Sequence, residues 1–130
     1  SNIDASLYVI ECMYNVDKKM INKKILPLIK IIRRNPRSKK IPIVFMEQVV
    51  IDMDHINNEF ISSVMEKNEE LNKQIQKSIN SGEKNLFIIK NTGSIDEDSE
   101  ATIDGLHFND LGFQRYANHF LNNIKELNII

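Results

Sequence analysis

A single cysteine, Cys12, leaves this 130-residue chain without any internal disulfide, and so without that route to stability. No apolar run approaches the roughly 18 residues that a membrane-spanning helix needs. The start, Ser1-Asn2-Ile3-Asp4, has neither the basic region nor the apolar core of a secretion signal, and it lacks an initiator methionine. Ser1-Asn2 matches a remnant of tag removal, so compartment is not legible there. The formal net charge is −1, which gives no global pull toward nucleic acid or an anionic membrane surface. Internal repeats and low-complexity tracts are also missing. What remains, 42% hydrophobic and 27% charged residues, is the composition of an ordinary globular domain, and the length has room for one.

The chain alternates short apolar runs with longer helical patterns. Leu7-Tyr8-Val9-Ile10, Ile41-Pro42-Ile43-Val44-Phe45-Met46 and Leu86-Phe87-Ile88-Ile89 are the three runs. Their continuous apolar character, without alternation, suits strands of a parallel sheet buried on both faces. Ile21, Ile25, Leu28, Ile29 and Ile32 recur at helical spacing, with Asp17 as cap, Asn35-Pro36 as stop and Pro27 as a kink or break. Phe60, Val64, Leu71, Ile75 and Ile79 mark a second helix that ends before Gly82. Phe113, Tyr116, Ala117, Phe120, Ile124 and Leu127 mark a third, capped by Asn109. The order β-α-β-α-β-loop-α predicts right-handed parallel crossovers with helices on both faces.

The segment with most chemical content is Ala101 to Phe113, after the third strand and before the last helix. In an open parallel sheet that position falls at the carboxyl ends of the strands, where ligands bind. Asp104 and His107 are separated by two residues, and Gly105 permits a tight turn between them. The carboxylate can then meet the imidazole Nδ1–H and leave Nε2 outward to take a proton from a hydroxyl nucleophile. A turn that merely caps the helix uses the same residues, and the spacing alone does not decide between the two.

Other residues allow weaker readings. Asp52, Asp54 and His55 follow the second strand and could contact substrate or a metal, but no fourth ligand is evident, which favours loop and cap duty. Glu47 and Gln48 end that strand and are candidates to line the site. The acidic loop Asp96, Glu97, Asp98 and Glu100 has no regular ligand spacing and reads as a solvated turn. Arg33, Arg34, Arg37, Lys39 and Lys40 read as a solvated basic loop. Cys12 reads as a small core residue without a neighbouring base, and His119 as an exposed helix residue.

The Ala101–Phe113 segment resembles block V of the SGNH (GDSL-type) hydrolases, whose Asp-x-x-His supplies two members of a catalytic triad. The GDSL-like lipase/acylhydrolase signature runs approximately Ala-Thr-Val-Asp-Gly-Val-His-Pro-Thr-Asp-Leu-Gly-Phe. Ala101 to Gly105, His107 and Asp110 to Phe113 fit it, whereas Phe108 replaces the proline and Asn109 the threonine. Asp4 to Asn15 resembles the family's third strand and block III, Ile41 to Glu47, Glu66-Lys67-Asn68 and Lys84 to Phe87 fit intervening elements, and only the His107 segment is strongly specific. The resemblance implies a partial flavodoxin-like α/β/α fold of about three parallel strands, filling residues 1–130 as the C-terminal part of a single hydrolase domain. It implies His107 and Asp104 as catalytic residues and Asn15 as an oxyanion donor. It further implies a small-molecule ester substrate, an acylated carbohydrate among the options, with no cofactor or metal.

The family's Gly-Asp-Ser nucleophile motif and the glycine of block II do not occur in the chain. The expectation is therefore a fragment that begins after the first two strands, inactive alone, with an unpaired edge at Leu7–Ile10 through which two copies pair. Nucleic acid and membrane are not expected partners. Two other readings stay open: a non-catalytic α/β domain used for binding or assembly, and a receiver-type domain, which the missing N-terminal carboxylates disfavour.

Overall fold

A computed structural model describes residues 5–49 and 58–129. The elements run β1 (Tyr8–Ile10), a single 3₁₀ turn (Met13–Asn15), α1 (Lys18–Arg33), a second 3₁₀ turn (Pro36–Lys40), β2 (Ile43–Met46), α2 (Asn58–Asn80), β3 (Leu86–Ile89) and α3 (Asp110–Glu126). The fold is α/β: β1, β2 and β3 lie in that order in one parallel sheet, with Tyr8 opposite Ile43 and Ile43 opposite Leu86. All three apolar runs are thus strands. The contacts divide the chain into two compact units, residues 1–48 with 66–90, and residues 49–65 with 91–130.

In the first unit, the alternation of side chains along a strand sends Ile43 and Phe45 to one face of β2. Tyr8 and Ile10 of β1, and Leu86 and Ile88 of β3, are their register partners. Against this face pack Ile21, Ile25 and Ile29 of α1 and Leu71 and Ile75 of α2. Sequential strands added in one direction by right-handed crossovers must put both connecting helices on the same face, which is what this cluster records. Val44 and Met46 point the other way and are also buried, as expected for a central parallel strand.

The local signals explain the element ends. Asp17 Oδ1 accepts the Met20 N–H at 2.6 Å and opens α1, and Asn35 Oδ1 accepts the Arg37 N–H at 3.0 Å where the chain turns past it. Pro27 was expected to kink or divide α1; the helix is not divided there, and Lys23 and Lys24, one turn before the proline, face water. Past α2, Gly82 takes a left-handed φ of +96° and returns its N–H to Ile79 O. Two expected stripe residues of α2, Phe60 and Ile79, are exposed, while Val64, Leu71 and Ile75 are buried.

Arg33 departs from the solvated basic loop expected of it. Its side chain is only 9% exposed, paired through Nε to Glu83 Oε1 at 2.7 Å. Its remaining N–H groups donate to the carbonyls of Ser38, Ile41, Lys84 and Asn85. A planar guanidinium with five donors can serve several chain ends at once, here the entries to β2 and β3.

Candidate active site

Asp104 and His107 lie in the second unit, on a five-residue loop closed like a small hairpin. Thr102 pairs with Phe108 as an antiparallel bridge, and Ile103 N–H donates to His107 O at 2.9 Å. Gly105 makes the reversal with φ +83°, its N–H held by Thr102 Oγ1 at 3.0 Å. Asp104 fills the inside of the turn. Its Oδ1 accepts the N–H groups of Leu106 at 3.0 Å and His107 at 2.8 Å, and its Oδ2 meets His107 Nδ1 at 2.7 Å. The backbone N–H of His107 first, then its ring, then the Leu106 N–H, hold the Asp104 carboxyl down to about 2. It is therefore an anion at neutral pH although 54% of its side chain is exposed.

That geometry decides what the imidazole can do. With Nδ1 bonded to a carboxylate, the proton belongs on Nδ1, and Nε2 is the basic nitrogen. The ring is 72% exposed, and Nε2 makes no hydrogen bond among the described residues. It is free to accept a proton from an arriving hydroxyl.

The loop is fixed from below by α3. Asn109 caps that helix by accepting the Gly112 N–H at 3.0 Å, while its Nδ2 donates to Glu100 O at 2.6 Å. Its own N–H reaches Ala101 O at 3.1 Å. Phe108, in the position the family gives to proline, packs on Tyr116 and edge-on against Phe113. The Phe108 and Tyr116 rings pack with Val49, Ile95 and Ala101 in a small second core. The α3 stripe is less buried than its spacing suggests: Ile124 is buried, whereas Phe113 is 63% exposed and Leu127 is also at the surface.

Two contributors were not legible beforehand. Arg115 of α3 forks onto Asp98 with two 2.7 Å bonds, meets Asp96 at 3.0 Å and donates to Ile95 O at 3.0 Å. The acidic loop is thus tied to α3, and the Asp98 carboxyl is held at about 2 chiefly by that guanidinium. The signal was available in the lone arginine among the first turns of α3, following four acidic residues. The other is Gly112, where an added Cβ would stand 2.0 Å from Ala101 O. Only glycine lets the helix approach the strand-like base of the loop so closely.

Asn15 lies in the first unit, at the end of the 3₁₀ turn that follows β1, and is exposed. Its N–H donates to Cys12 O at 3.0 Å. Beside it, burial pushes the Tyr14 hydroxyl up to about 12, with Glu11 adding to the effect, and burial followed by Glu11 raises the Cys12 thiol. A thiol shifted upward is a poorer nucleophile at neutral pH, in keeping with a structural Cys12, although it is half-buried where a core residue was expected.

Glu47 and Gln48 are buried at the end of β2, Glu47 accepting from Asn72 Nδ2. His119, expected at the surface, is half-buried beside Asn123. Asp52, Asp54 and His55 fall outside the described residues. Among the described residues no cluster of His, Cys, Asp and Glu could hold a metal ion, and no helix is long and apolar enough to cross a membrane. No serine hydroxyl bonds to His107 there. Ser38 is buried against the Ile32 and Asn35 carbonyls, Ser94 is buried in the loop after β3, and Ser62 and Ser63 ride the exposed side of α2.

Comparison with known proteins gives a consistent placement. The chain matches the crystal structure of a protein of Bacteroides ovatus ATCC 8483 designated a GDSL-like lipase, with a TM-score of 0.87 and 27% identity over 96% of this chain and 36% of that one. It also matches the salicylyl-acyltransferase SsfX3 from a tetracycline biosynthetic pathway, with a TM-score of 0.75 over 99% of this chain and 40% of that one. At 16% identity, this second likeness concerns the fold alone. The chain therefore spans little more than a third of the length of these neighbours. A search of curated proteins gives no match. The model of the GDSL-like Lipase/Acylhydrolase family matches residues 1–125, and the chain belongs to that family.

Proposed function

We propose that this chain carries the acid–base half of a serine ester hydrolase, with the nucleophile supplied by protein sequence beyond these 130 residues. The observation that supports it is the 2.7 Å contact of Asp104 Oδ2 with His107 Nδ1, which leaves an exposed Nε2 as base. In the complete enzyme a serine hydroxyl loses its proton to His107 Nε2 as its oxygen adds to the ester carbonyl. The imidazolium so formed is stabilised by the Asp104 carboxylate, and the same proton then goes to the departing alcohol. Water repeats the cycle on the acyl-enzyme. The Asn15 side chain donates to the oxyanion of each tetrahedral intermediate. No cofactor enters this chemistry. The substrate class is a carboxylic ester, with acylated carbohydrates as the specific candidate.

The chain alone has negligible esterase activity on this reading. p-Nitrophenyl acetate hydrolysis by the 130-residue protein should stay at background, and robust turnover lost in His107→Ala would refute the inactivity while upholding the dyad. A longer protein with a Gly-Asp-Ser motif ahead of this segment should hydrolyse esters and lose at least about 10³-fold in kcat with His107→Ala. Hydrolysis indifferent to that change would instead favour a binding or assembly domain derived from a hydrolase.

The proposal extends to self-association. β1 pairs with β2 alone among the described residues, and Val9 on it is 45% exposed. A free parallel edge offers unpaired N–H and C=O groups to a second copy, giving a dimer. Light scattering at micromolar concentration should report twice the chain mass; a monodisperse monomer rejects it.

A further inference from the structure

Lys67, on α2, donates from Nζ to the carbonyl oxygen of Met13 at 2.9 Å. Met13 begins the 3₁₀ turn that ends in Asn15, and its own side chain is buried in the first core. The next residue of α2, Asn68, does the equivalent work one strand over. Its Oδ1 accepts the Gln48 N–H at 2.9 Å and its Nδ2 donates to Gln48 O at 2.8 Å. Two consecutive side chains of one helix thus take hold of the backbone just past the carboxyl ends of β1 and β2, the region of a parallel sheet where reactive groups are displayed.

The choice of lysine needs a reason. Lys67 is half-buried and forms no ion pair among the described residues, and burial lowers its pKa from the usual lysine value. Taking an ammonium partly out of water for one carbonyl acceptor is expensive, since a neutral amide such as Asn68 makes comparable bonds without that cost. A long stem with a strong, charge-assisted donor at its tip has one advantage: it spans from a helix to a turn and restrains it more firmly than a neutral bond.

We propose that Lys67 is the positioning residue of the oxyanion turn, holding Met13–Asn15 so that the Asn15 side chain is presented in one orientation. The proposal rests on the assignment of Asn15 as oxyanion donor. Among the described residues Asn15 itself has no tie beyond its N–H to Cys12 O, so the restraint on its backbone comes through Met13.

The test is site-resolved amide exchange on the isotope-labelled 130-residue protein, comparing Lys67→Met, Lys67→Arg and the parent sequence. Lys67→Met should speed exchange of the Asn15 amide roughly tenfold, the loss of one charge-assisted bond, while Val44 and Phe45 in β2 keep their protection. Lys67→Arg, which retains a charged donor, should restore most of it. Unchanged exchange at Asn15 in Lys67→Met overturns the proposal. So does a parallel loss at Val44 and Phe45, which would make Lys67 a general stabiliser. Kinetics of a nucleophile-bearing longer form separate the two layers. Lys67→Met should lower kcat with KM unchanged, as should Asn15→Ala; an Asn15→Ala enzyme with full turnover would remove the oxyanion reading while the exchange result judged the clamp.

Discussion

Gly112→Ala is the substitution that should damage this molecule most for its size. The new Cβ would lie 2.0 Å from Ala101 O, 3.0 Å from Ala101 C and 3.1 Å from Phe108 Cβ. The obstacle is backbone, so no side-chain rotation relieves it, and a separation of more than an ångström must be opened. The displaced groups are the ones that make the cap: Asn109 N–H to Ala101 O and Gly112 N–H to Asn109 Oδ1. Overpacking of this kind costs about 1–3 kcal/mol and a lost cap about 1 kcal/mol. Alanine's better helix propensity returns at most about 1 kcal/mol, and less in a first turn. The net expectation is about 2–3 kcal/mol of destabilisation, a fall in Tm of roughly 5–12 °C for a chain of this length. Urea titration followed by circular dichroism measures it. The consequence should also reach the dyad, because the loop is seated on Ala101 and Asn109, and nitrogen chemical shifts of the His107 ring should report a mixture of tautomers. A variant as stable as its parent, with one Nδ1–H tautomer, would refute the reasoning.

Other expectations follow from the same contacts. Asp98 and Asp104 are held at about 2 in the folded chain against an ordinary 3.8, so they favour folding above the ordinary value, and that contribution disappears as pH falls from about 4 to about 2. Acid titration should show unfolding steepening in that window, and Asp104→Asn should flatten it. Carboxyl carbon shifts that titrate at 3.8 would contradict this. Arg33→Met removes a donor from four carbonyls, of which Ser38 O and Asn85 O keep a backbone N–H, and leaves Glu83 without its guanidinium; it should cost about 2–4 kcal/mol in chemical denaturation, and a change under about 0.5 kcal/mol would show that water replaces the guanidinium freely. Arg115→Met should release the 95–98 loop, visible as faster amide exchange there with β2 unaffected.

The strands were legible because a parallel sheet demands continuous apolar runs, and Leu7–Ile10, Ile41–Met46 and Leu86–Ile89 are runs of that kind. The caps at Asp17 and Asn109 were legible because their chemistry is local: donor and acceptor lie three positions apart. The Asp104–His107 contact was legible for the same reason. What escaped reading depends on approach between distant segments. Arg33 looked like one basic residue among five, and nothing in Arg33-Arg34 reveals which of the two meets Lys84 and Asn85 some fifty positions on. What Gly112 does follows from its distance to Ala101, which no local pattern gives. Pro27 does not divide α1, since a missing N–H toward solvent is tolerated when the flanking isoleucines bury well.

Asp104 and His107 share one loop of five residues and are joined through both main-chain and side-chain bonds. Any rigid shift of that loop carries donor and acceptor together, so no hinge motion can switch the pair off by parting them. On the proposed reading, control over such a centre has to fall on what is brought to it: the hydroxyl to be deprotonated, and the carbonyl it attacks.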